Sequence, residues 1–225
     1  MKISVILTCW RRFTNFDAIV RSWLAEPETS EVMIWDNSGK YKFEGETEKK
    51  VIVLNSSENL GSRVRYSLAA LAENEVVLFA DDDVKIEQGF LNDLISHYSY
   101  DKMVGVLGRQ FVGKTYAEAF KHEVCANKIE TPIQVDFLVG FIMMMHRDHL
   151  LGMNLRRFQW TCCDLNLQGI LKISRPFLKK YVVPTTRYGH YEDNADENAL
   201  GLMKSALPEK EQIYRQFFKG EEDAF

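Results

Sequence analysis

Cys-x-x-Cys motifs and long apolar runs are both lacking in this sequence of 225 residues. Its four cysteines show no Cys-x-x-Cys spacing, and the adjacent Cys162 and Cys163 cannot easily bridge to each other, so we expect reduced thiols. The chain begins on a strand pattern at Lys2 with no charged and apolar leader, so we expect no signal peptide. The longest apolar run, Phe137 to Met145, covers nine residues, whereas a membrane helix needs about 20. These absences predict a cytoplasmic protein without stable membrane insertion.

Two glycine-rich phosphate-binding motifs are also missing. The segment after the first predicted strand, "TCWRRFTN", contains no glycine, which argues against the dinucleotide-binding turn of a Rossmann dehydrogenase. No P-loop sequence occurs either. A bound phosphate would therefore have to be held by a metal ion and by side chains. Arg63 and Arg65, at the start of a predicted helix, suit this task, although such a pair can also be merely solvated.

Strand and helix patterns alternate over the first hundred residues. The apolar runs "KISVILTC", "EVMIWDNSG", "KVIVLN" and "EVVLFA" predict buried strands. Between them, "NFDAIVRSWLA" and "SRVRYSLAALAE" place apolar residues at helical spacing. Strands that alternate with helices predict a parallel sheet with helices on both faces.

The alternation loosens toward the second half of the chain. There "EQGFLNDLISHYS" predicts a helix, "MVGVLGRQF" a strand, "IQVDFLVGFIMMMHR" one long strand, "CCDLNLQGILKI" a helix and "YVVP" a short strand. We expect one domain over residues 1–225, with a nucleotide-binding half at 1–100 and an acceptor-binding half at 101–225 that ends in a loop and helix. Met143, Met144 and Met145 are expected to fill the core.

Three adjacent carboxylates, Asp81, Asp82 and Asp83, stand directly behind the apolar run from Val76 to Ala80. They repel one another, so they need a positive partner. Ligands of open α/β sheets bind at the carboxyl ends of the strands. Clustered oxygen ligands there suit Mg²⁺ or Mn²⁺, which also accepts phosphate oxygens of a substrate. A solvated surface turn is the simpler alternative, but the position behind a buried strand favours a metal and diphosphate site.

Seven segments recur in a familiar order: "SVILTCWRR", "VMIWDNSG", "NLGSRVRYSL", "VVLFADDDV", "MVGVLGRQ", "LVGFIMM" and "TCCDLNL". Over about residues 2 to 175 the chain resembles glycosyltransferases with a GT-A fold, in detail the exostosin-like type of glycosyltransferase family 64. The resemblance implies a Rossmann-like α/β fold whose mixed, mainly parallel sheet is flanked by helices. It also implies a Mn²⁺ or Mg²⁺ ion, a UDP-sugar donor, and transfer of N-acetylhexosamine with retention of configuration.

The resemblance also implies roles for individual residues. Asp83 would ligate the metal, and His190 in the C-terminal loop would reach it. Asp164 would lie near the reacting anomeric carbon, with Arg63 beside the departing diphosphate, and Gly140 would leave room for the substrate. Contacts to the UDP-sugar would come from this glycine, from residues behind the strands and from the Arg-x-Arg pair: Thr8, Trp10, Arg12, Asp36, Asn37, Arg63, Arg65, Asp81, Asp82 and Gly140.

The sequence departs from this family at several positions. Cys163 precedes Asp164 where two acidic residues are common, Tyr66 and Ser67 replace more polar residues, and Phe141 replaces a small one. These changes predict altered sugar specificity and a reshaped acceptor side. Asp164 could equally stabilise the amino end of a helix, and His190 could be a surface histidine. Besides a retaining enzyme, an inverting family 2-like glycosyltransferase, a nucleotidyltransferase and a catalytically silent sugar-nucleotide-binding module remain open.

The charge distribution bears on the acceptor. Residues 147–187 hold eight Lys or Arg against two Asp, whereas residues 188–225 hold nine Asp or Glu against four Lys or Arg. Aromatic residues are interleaved in the basic segment: Phe158, Trp160, Phe177 and Tyr181. This mixture suits a nucleic acid such as hydroxymethylated DNA, the rival of a saccharide acceptor. The net charge of −4 argues against the nucleic acid.

Overall fold

The computed structural model describes residues 1–119, 121–153, 163–190 and 207–219. The strands are β1 (Ile3–Cys9), β2 (Thr29–Asp36), β3 (Lys50–Asn55), β4 (Val76–Ala80), β5 (Val84–Ile86), β6 (Lys102–Gly105), β7 (Leu107–Arg109), β8 (Glu123–Cys125), β9 (Ile133–Val135), β10 (Phe137–Leu138), β11 (Ile142–His146), β12 (Lys179–Val182) and β13 (Tyr188–His190). The α-helices are α1 (Phe16–Ala25), α2 (Val64–Leu68), α3 (Phe90–Ile95), α4 (Tyr116–Ala119), α5 (Cys163–Ser174) and α6 (Leu207–Tyr214). Short 3₁₀ turns occupy Ala69–Leu71, Ala126–Lys128 and Arg147–Leu150, and a π-helical turn, Arg215–Lys219, follows α6.

The central sheet has eight strands in the order β3-β2-β1-β4-β11-β6-β12-β9. The first four are parallel to one another, β11 is antiparallel to both of its neighbours, β12 is parallel to β6, and β9 closes the edge in the antiparallel direction. All seven residues of β1 are buried, as its continuous apolar run predicts for a strand covered on both faces. The predicted mixed, mainly parallel sheet is thus confirmed.

The strand order places a ligand crevice beside β1. The chain runs from β1 outward to β2 and β3 and then returns to β4 on the other side of β1. The direction of progression therefore reverses between β1 and β4, and in open α/β sheets ligands bind at this switch point, outside the carboxyl ends of the strands. The segments after β1 and β4, which include Arg12 and Asp81, meet at this crevice.

Helix α1 shows how the first half is held together. Its buried face consists of Phe16, Ile19, Val20 and Trp23. Full burial of a Val, Ile or Phe side chain stabilises a folded protein by about 1.5–3 kcal/mol. The helix ends at Ala25, and the next residue, Glu26, has the extended backbone (ψ 126°) that is typical of a residue before proline, here Pro27. The buried carboxylate of Glu26 accepts hydrogen bonds from the N–H groups of Gly89 and Leu91, and so ties α1 to the start of α3.

The prediction of one long strand over residues 133–147 was wrong. This segment forms β9 at the edge of the central sheet, β10 in a separate three-stranded sheet (β10-β7-β8) and β11 in the middle of the central sheet. Asp136, between β9 and β10, accepts a hydrogen bond from the N–H of Phe111 at 2.8 Å. A continuous apolar run indicates burial but not the partner strand, so such a change of sheet leaves no periodic signal.

Other predicted strand and helix boundaries differ less from those of the structure. The strand at 103–111 divides after Gly105 and changes from the central sheet to the three-stranded sheet. The helices predicted at 62–73 and 87–99 are shorter, as α2 with a 3₁₀ turn and as α3. The short strands β5, β8 and β13 were not predicted; β5 and β13 pair with each other in a two-stranded sheet.

The main core spans both halves, from Ile3 to Val183. It includes Met143, Met144 and Met145 at 0% exposure, which confirms them as core residues. A second apolar cluster joins α6 to α4 and α5 and contains Tyr116, Phe137, Leu165, Ile213 and Tyr214. None of the helices in the described ranges is long and apolar enough to cross a bilayer. The described cysteines, Cys9, Cys125 and Cys163, are unbridged.

Candidate functional site

The acidic triplet, Asp81 to Asp83, directly follows the carboxyl end of β4. Strand β11 runs antiparallel to β4, so its amino end lies beside the carboxyl end of β4, with Ile142 opposite Ala80. The N–H of Asp81 continues this pairing by donating to the carbonyl oxygen of Phe141 at 3.1 Å. The antiparallel insertion of β11 therefore delivers Gly140 and Phe141 to the triplet.

Each aspartate of the triplet faces a positively charged or ionisable partner within the protein. Arg65 Nη2 lies 2.8 Å from Asp81 Oδ1. Arg12 Nη1 lies 3.3 Å from Asp82 Oδ1 and 3.0 Å from Asp83 Oδ2, so one guanidinium bridges two carboxylates. The imidazole of His190 lies 3.8 Å from Asp83. These contacts relieve the repulsion among the three carboxylates.

The three carboxylates differ in how easily they ionise. Burial raises the pKa of Asp82 to about 7, although the charge of Arg12 opposes this rise. Burial also raises the pKa of Asp81, against the charge of Arg65. Burial acts on Asp83 in the same direction, but its contacts with His190 and Arg12 outweigh it and hold its pKa below the usual range. Asp83 is thus the most acidic member of the triplet, as a metal ligand should be.

Asp83 and His190, the two predicted metal ligands, lie side by side. Strand β13 pairs with β5 so that His190 lies opposite Val84, the residue after Asp83. Asp83 Oδ1 is buried and has no hydrogen-bond partner among the described residues, and it faces His190 Nδ1.

The chemistry of this pair matches an ion that also uses substrate ligands. In the described ranges, no group of three or more His, Cys, Asp or Glu side chains is arranged to hold a metal. Mg²⁺ typically takes one or two carboxylates from the protein and completes its coordination with water and substrate phosphates, and Mn²⁺ favours the same oxygen ligands. The residues present therefore fit an ion that binds together with a diphosphate.

The ring of Phe141 packs against the imidazole of His190. The two rings stack with centroids 4.2 Å apart and planes inclined by 23°, and Phe141 itself is buried. Because Phe141 starts the turn into β11, this stacking connects the histidine to the central sheet. The residue that departs from the exostosin-like pattern thus supports the predicted metal ligand.

Asp36 and Asn37 form the turn after β2. The carboxylate of Asp36 is fully buried and accepts hydrogen bonds from the main chain of Ser38, Lys40 and Tyr41 and from the Ser38 hydroxyl. Burial raises the pKa of Asp36, but these hydrogen bonds outweigh it and lower the pKa overall. Asn37 joins this turn to residues 60–61 just before α2, since its side chain accepts from the N–H of Leu60. Both residues shape the crevice wall, and their contact with a base or ribose stays a prediction.

The Arg-x-Arg pair divides into an inner and an outer arginine. Arg65 is 4% exposed and donates to Asp81 and, at 2.9 Å, to the carbonyl oxygen of Gly140. It therefore joins α2, β4 and the turn before β11, and a direct contact with a diphosphate stays a prediction. Arg63 is less buried and donates from Nε to the carbonyl oxygen of Leu60 at 3.2 Å.

The segment after β1 forms the opposite wall of the crevice. Thr8 is buried near the end of the strand, and the N–H of Trp10 lies 3.4 Å from Asp82 Oδ2. The guanidinium of Arg11 stacks over the half-buried Trp10 ring at 4.5 Å. Arg11 has φ 67°, a left-handed conformation that is rare for residues other than glycine. Arg11 therefore points to the Trp10 ring, whereas the next residue, Arg12, points to the triplet.

Asp164 closes the site from the second half of the chain. It lies in the first turn of α5, where the helix dipole favours a carboxylate. A Cβ atom added at Gly140 would overlap its carboxylate, so the two residues are in close contact. The Tyr66 hydroxyl donates to Asp164 Oδ1, and the Cys163 thiol contacts the Ser62 hydroxyl at 2.9 Å. Tyr66 and Cys163, two of the residues that depart from the family pattern, thus both contact Asp164, which no local sequence signal predicts.

Two basic residues of the segment at 147–187, Arg147 and Lys179, lie away from this site. The N–H of Arg147 bonds to the carbonyl oxygen of Glu75 before β4, and that of Lys179 bonds to Asp101 before β6. Both residues are therefore at the amino ends of parallel strands, whereas the acidic triplet follows a carboxyl end. Other predicted members of the segment lie outside the described residues: Arg156, Arg157, Phe158 and Trp160. The placement of Arg147 and Lys179 does not favour contact with a ligand at the triplet.

A solved structure shows the same architecture. The chain aligns over its full length with the crystal structure of GalNAc-T7 with UDP, GalNAc and Mn²⁺, at a TM-score of 0.64 and 15% sequence identity. It spans about half of that protein, 51% of its chain. No protein-family model and no curated protein sequence matches it. The likeness shows a GT-A fold, and the narrower exostosin-like assignment stays a prediction.

Proposed function

We propose that this protein is a metal-dependent glycosyltransferase that moves a sugar from a UDP-sugar to a hydroxyl of a saccharide acceptor with retention of configuration. The observation that carries the proposal is the acidic triplet at the switch point of a GT-A sheet, flanked by His190 and Asp164. The structural neighbour was solved with UDP, GalNAc and Mn²⁺, which supports this class of donor and metal. The transferred sugar is a hexose, an N-acetylhexosamine or a pentose.

The first half of the chain would bind the donor. Asp83 and His190 would hold the Mn²⁺ or Mg²⁺ ion, which supplies positive charge against the negative charge of the departing diphosphate. Arg63 lies at the start of α2 and would add a guanidinium to the same diphosphate. Thr8, Trp10 and the turn at Asp36 and Asn37 would form the uridine pocket.

The second half would act at the transferred sugar. The carboxylate of Asp164 would stabilise the oxocarbenium-like charge at the anomeric carbon or attack that carbon. The missing side chain at Gly140 leaves room for this carboxylate, because an added Cβ would overlap it. The exostosin-like resemblance supports retention, in which the departing phosphate takes the acceptor proton. In an inverting enzyme Asp164 would instead remove that proton as a general base.

The test is a panel of UDP-sugars incubated with the protein in Mn²⁺ or in a chelator, with UDP release as the readout. We expect metal-dependent release from at least one donor, including slow hydrolysis without acceptor. Asp83→Ala should abolish the metal stimulation, and Asp148→Ala, which removes an aspartate at the far end of the sheet, serves as the matched control. An Asp83→Ala variant as active as the wild type would contradict the metal assignment.

Other outcomes of this panel identify the rival functions. Pyrophosphate release from a nucleoside triphosphate would identify a nucleotidyltransferase. Thermal stabilisation by UDP and Mn²⁺ without turnover would identify a silent binding module. The anomeric configuration of the product, measured by NMR, decides between retention and inversion.

The nucleic-acid acceptor stays a prediction from the basic segment alone. Counterion release makes the affinity of a protein for nucleic acid fall steeply with salt, whereas a neutral saccharide shows little dependence. Binding of hydroxymethylated DNA at about 50 mM salt that weakens steeply at higher salt, with label transferred from a UDP-sugar, would support it. If neither DNA binding nor label transfer is observed, a saccharide remains as the proposed acceptor.

A further inference from the structure

Tyr66 makes a contact that crosses the two halves of the molecule. Its hydroxyl donates a hydrogen bond to Oδ1 of Asp164, 98 residues further along the chain. The tyrosine is 2% exposed, and its ring packs edge-on against Phe79 of β4 with centroids 5.0 Å apart. Helix α2 and strand β4 therefore fix the hydroxyl independently of α5, the helix that carries Asp164.

The Asp164 carboxylate is oriented by its surroundings. Oδ1 accepts from Tyr66, and the Cys163 thiol lies 3.4 Å from the same oxygen. Oδ2 is the atom nearest to the place where a Cβ of Gly140 would be. Oδ1 therefore accepts the hydrogen bond from Tyr66, and Oδ2 is the oxygen nearer to Gly140.

We propose that Tyr66 is a positioning residue for sugar transfer, which holds the Asp164 carboxylate so that Oδ2 faces the bound sugar beside Gly140. This inference rests on the proposed function and deepens it. The terminal torsion of an aspartate is broad, so without a fixed donor either oxygen can rotate into the crevice. A tyrosine anchored in the core removes this freedom before substrate binds.

The charge state of Tyr66 agrees with this role. Burial raises the pKa of Tyr66, and the negative charge of Asp164 raises it further. The phenol therefore stays protonated and acts as the donor, with the carboxylate as acceptor. Ser62, near the start of α2, contacts Cys163 at 2.9 Å, so α2 contacts two successive residues of α5.

The test is Tyr66→Phe, which removes the hydroxyl and keeps the ring. Misplacement of a reacting group by about 1 Å can cost up to about 100-fold, and we expect kcat to fall by roughly 10- to 100-fold. KM for the UDP-sugar and the affinity for UDP with Mn²⁺ should stay the same, because the donor pocket is intact. Tyr214→Phe, a buried tyrosine whose hydroxyl contacts the main chain at Gly113, is the matched control and should keep its kcat.

The contact itself is tested without any turnover, by thermal unfolding of the wild type, Tyr66→Phe, Asp164→Ala and the double variant. We expect Tyr66→Phe to lower Tm in the wild-type background and to change it much less when Asp164 is already removed. Equal Tm shifts in both backgrounds would show that Tyr66 and Asp164 do not interact and would overturn the proposed contact. An unchanged kcat, or a parallel loss of kcat and UDP affinity, would overturn the positioning role. Absence of turnover in the wild type would overturn the proposed function and this role with it, whatever the unfolding cycle shows.

Discussion

The two halves of the chain contribute to the candidate site in different ways. In residues 1–100 the polar groups contact one another across neighbouring parallel strands, as Arg12 does with Asp82 and Asp83. The second half contributes Gly140, Asp164 and His190, each from a different element.

Each of these second-half contributions is held by the first half. The Gly140 carbonyl accepts from Arg65, Asp164 accepts from Tyr66, and His190 is placed by the pairing of β13 with β5. Most of the groups proposed to bind the donor therefore contact one another within the first half of the chain, whereas the groups proposed to act on the sugar depend on a few contacts between the halves. Variants in the two halves should therefore separate binding from turnover.

The largest effect is expected from Asp164→Asn. Turnover should fall at least about 100-fold, the lower end of a general acid–base contribution, because the charge beside the anomeric carbon is lost. The affinity for UDP with Mn²⁺, measured by calorimetry, should stay unchanged. A matching loss of UDP affinity would place Asp164 in the donor pocket and remove the division between the halves.

Gly140→Ala should come next. The added Cβ overlaps the Asp164 carboxylate, so the carboxylate must move, and we expect kcat to fall roughly 10- to 100-fold with UDP affinity retained. Gly189→Ala is the matched control, because nothing lies within 4 Å of its added Cβ. Full activity of Gly140→Ala would show that the position of Asp164 is not critical.

Asp36→Asn tests the first half through its stability. Removing an acceptor of buried main-chain donors should lower the free energy of unfolding by about 1–3 kcal/mol at pH 7. The pKa of Asp36 is lower in the folded state than in the unfolded state, where it is about 3.9. The contribution of its charge to the free energy of unfolding is therefore present above the unfolded-state pKa and is lost as the pH falls through the folded-state pKa. Urea titrations should therefore show the difference between variant and wild type shrinking below about pH 4. A difference independent of pH would contradict the role of the charge.

The smallest effect is expected from Phe141→Leu. An aromatic pair is worth about 0.5–1.5 kcal/mol beyond its buried area, so loss of the stacking on His190 should weaken Mn²⁺ binding in the presence of UDP about 2- to 12-fold. Electron paramagnetic resonance titration of free Mn²⁺ measures this directly. Phe111→Leu removes a stacked phenylalanine in the second apolar cluster and should leave Mn²⁺ affinity unchanged. Equal affinities in Phe141→Leu and wild type would show that His190 does not need the ring.

The parallel half of the fold was predictable because each strand there is a self-contained apolar run. The runs that end at Cys9, Asp36 and Ala80 are strands in the structure, and parallel strands put their polar successors at one edge. The position of Asp81, Asp82 and Asp83 at the carboxyl end of a buried parallel strand therefore followed from the sequence. The positive partners of the triplet did not, since Arg12 and Arg65 are distant in sequence from the carboxylates that they contact.

Local sequence by itself determined the strands of the first half, helix α1 and the clustering of polar residues behind β1, β2 and β4, because periodicity and turn residues act over a few neighbouring positions. Tertiary structure alone decided that residues 133–147 divide among three places and that β11 runs antiparallel between β4 and β6. It also decided that Tyr66 meets Asp164 and that Phe141 stacks on His190. The physical reason is that strand partners and side-chain contacts are chosen by packing among distant segments, and an apolar run specifies that it will be buried without specifying against what.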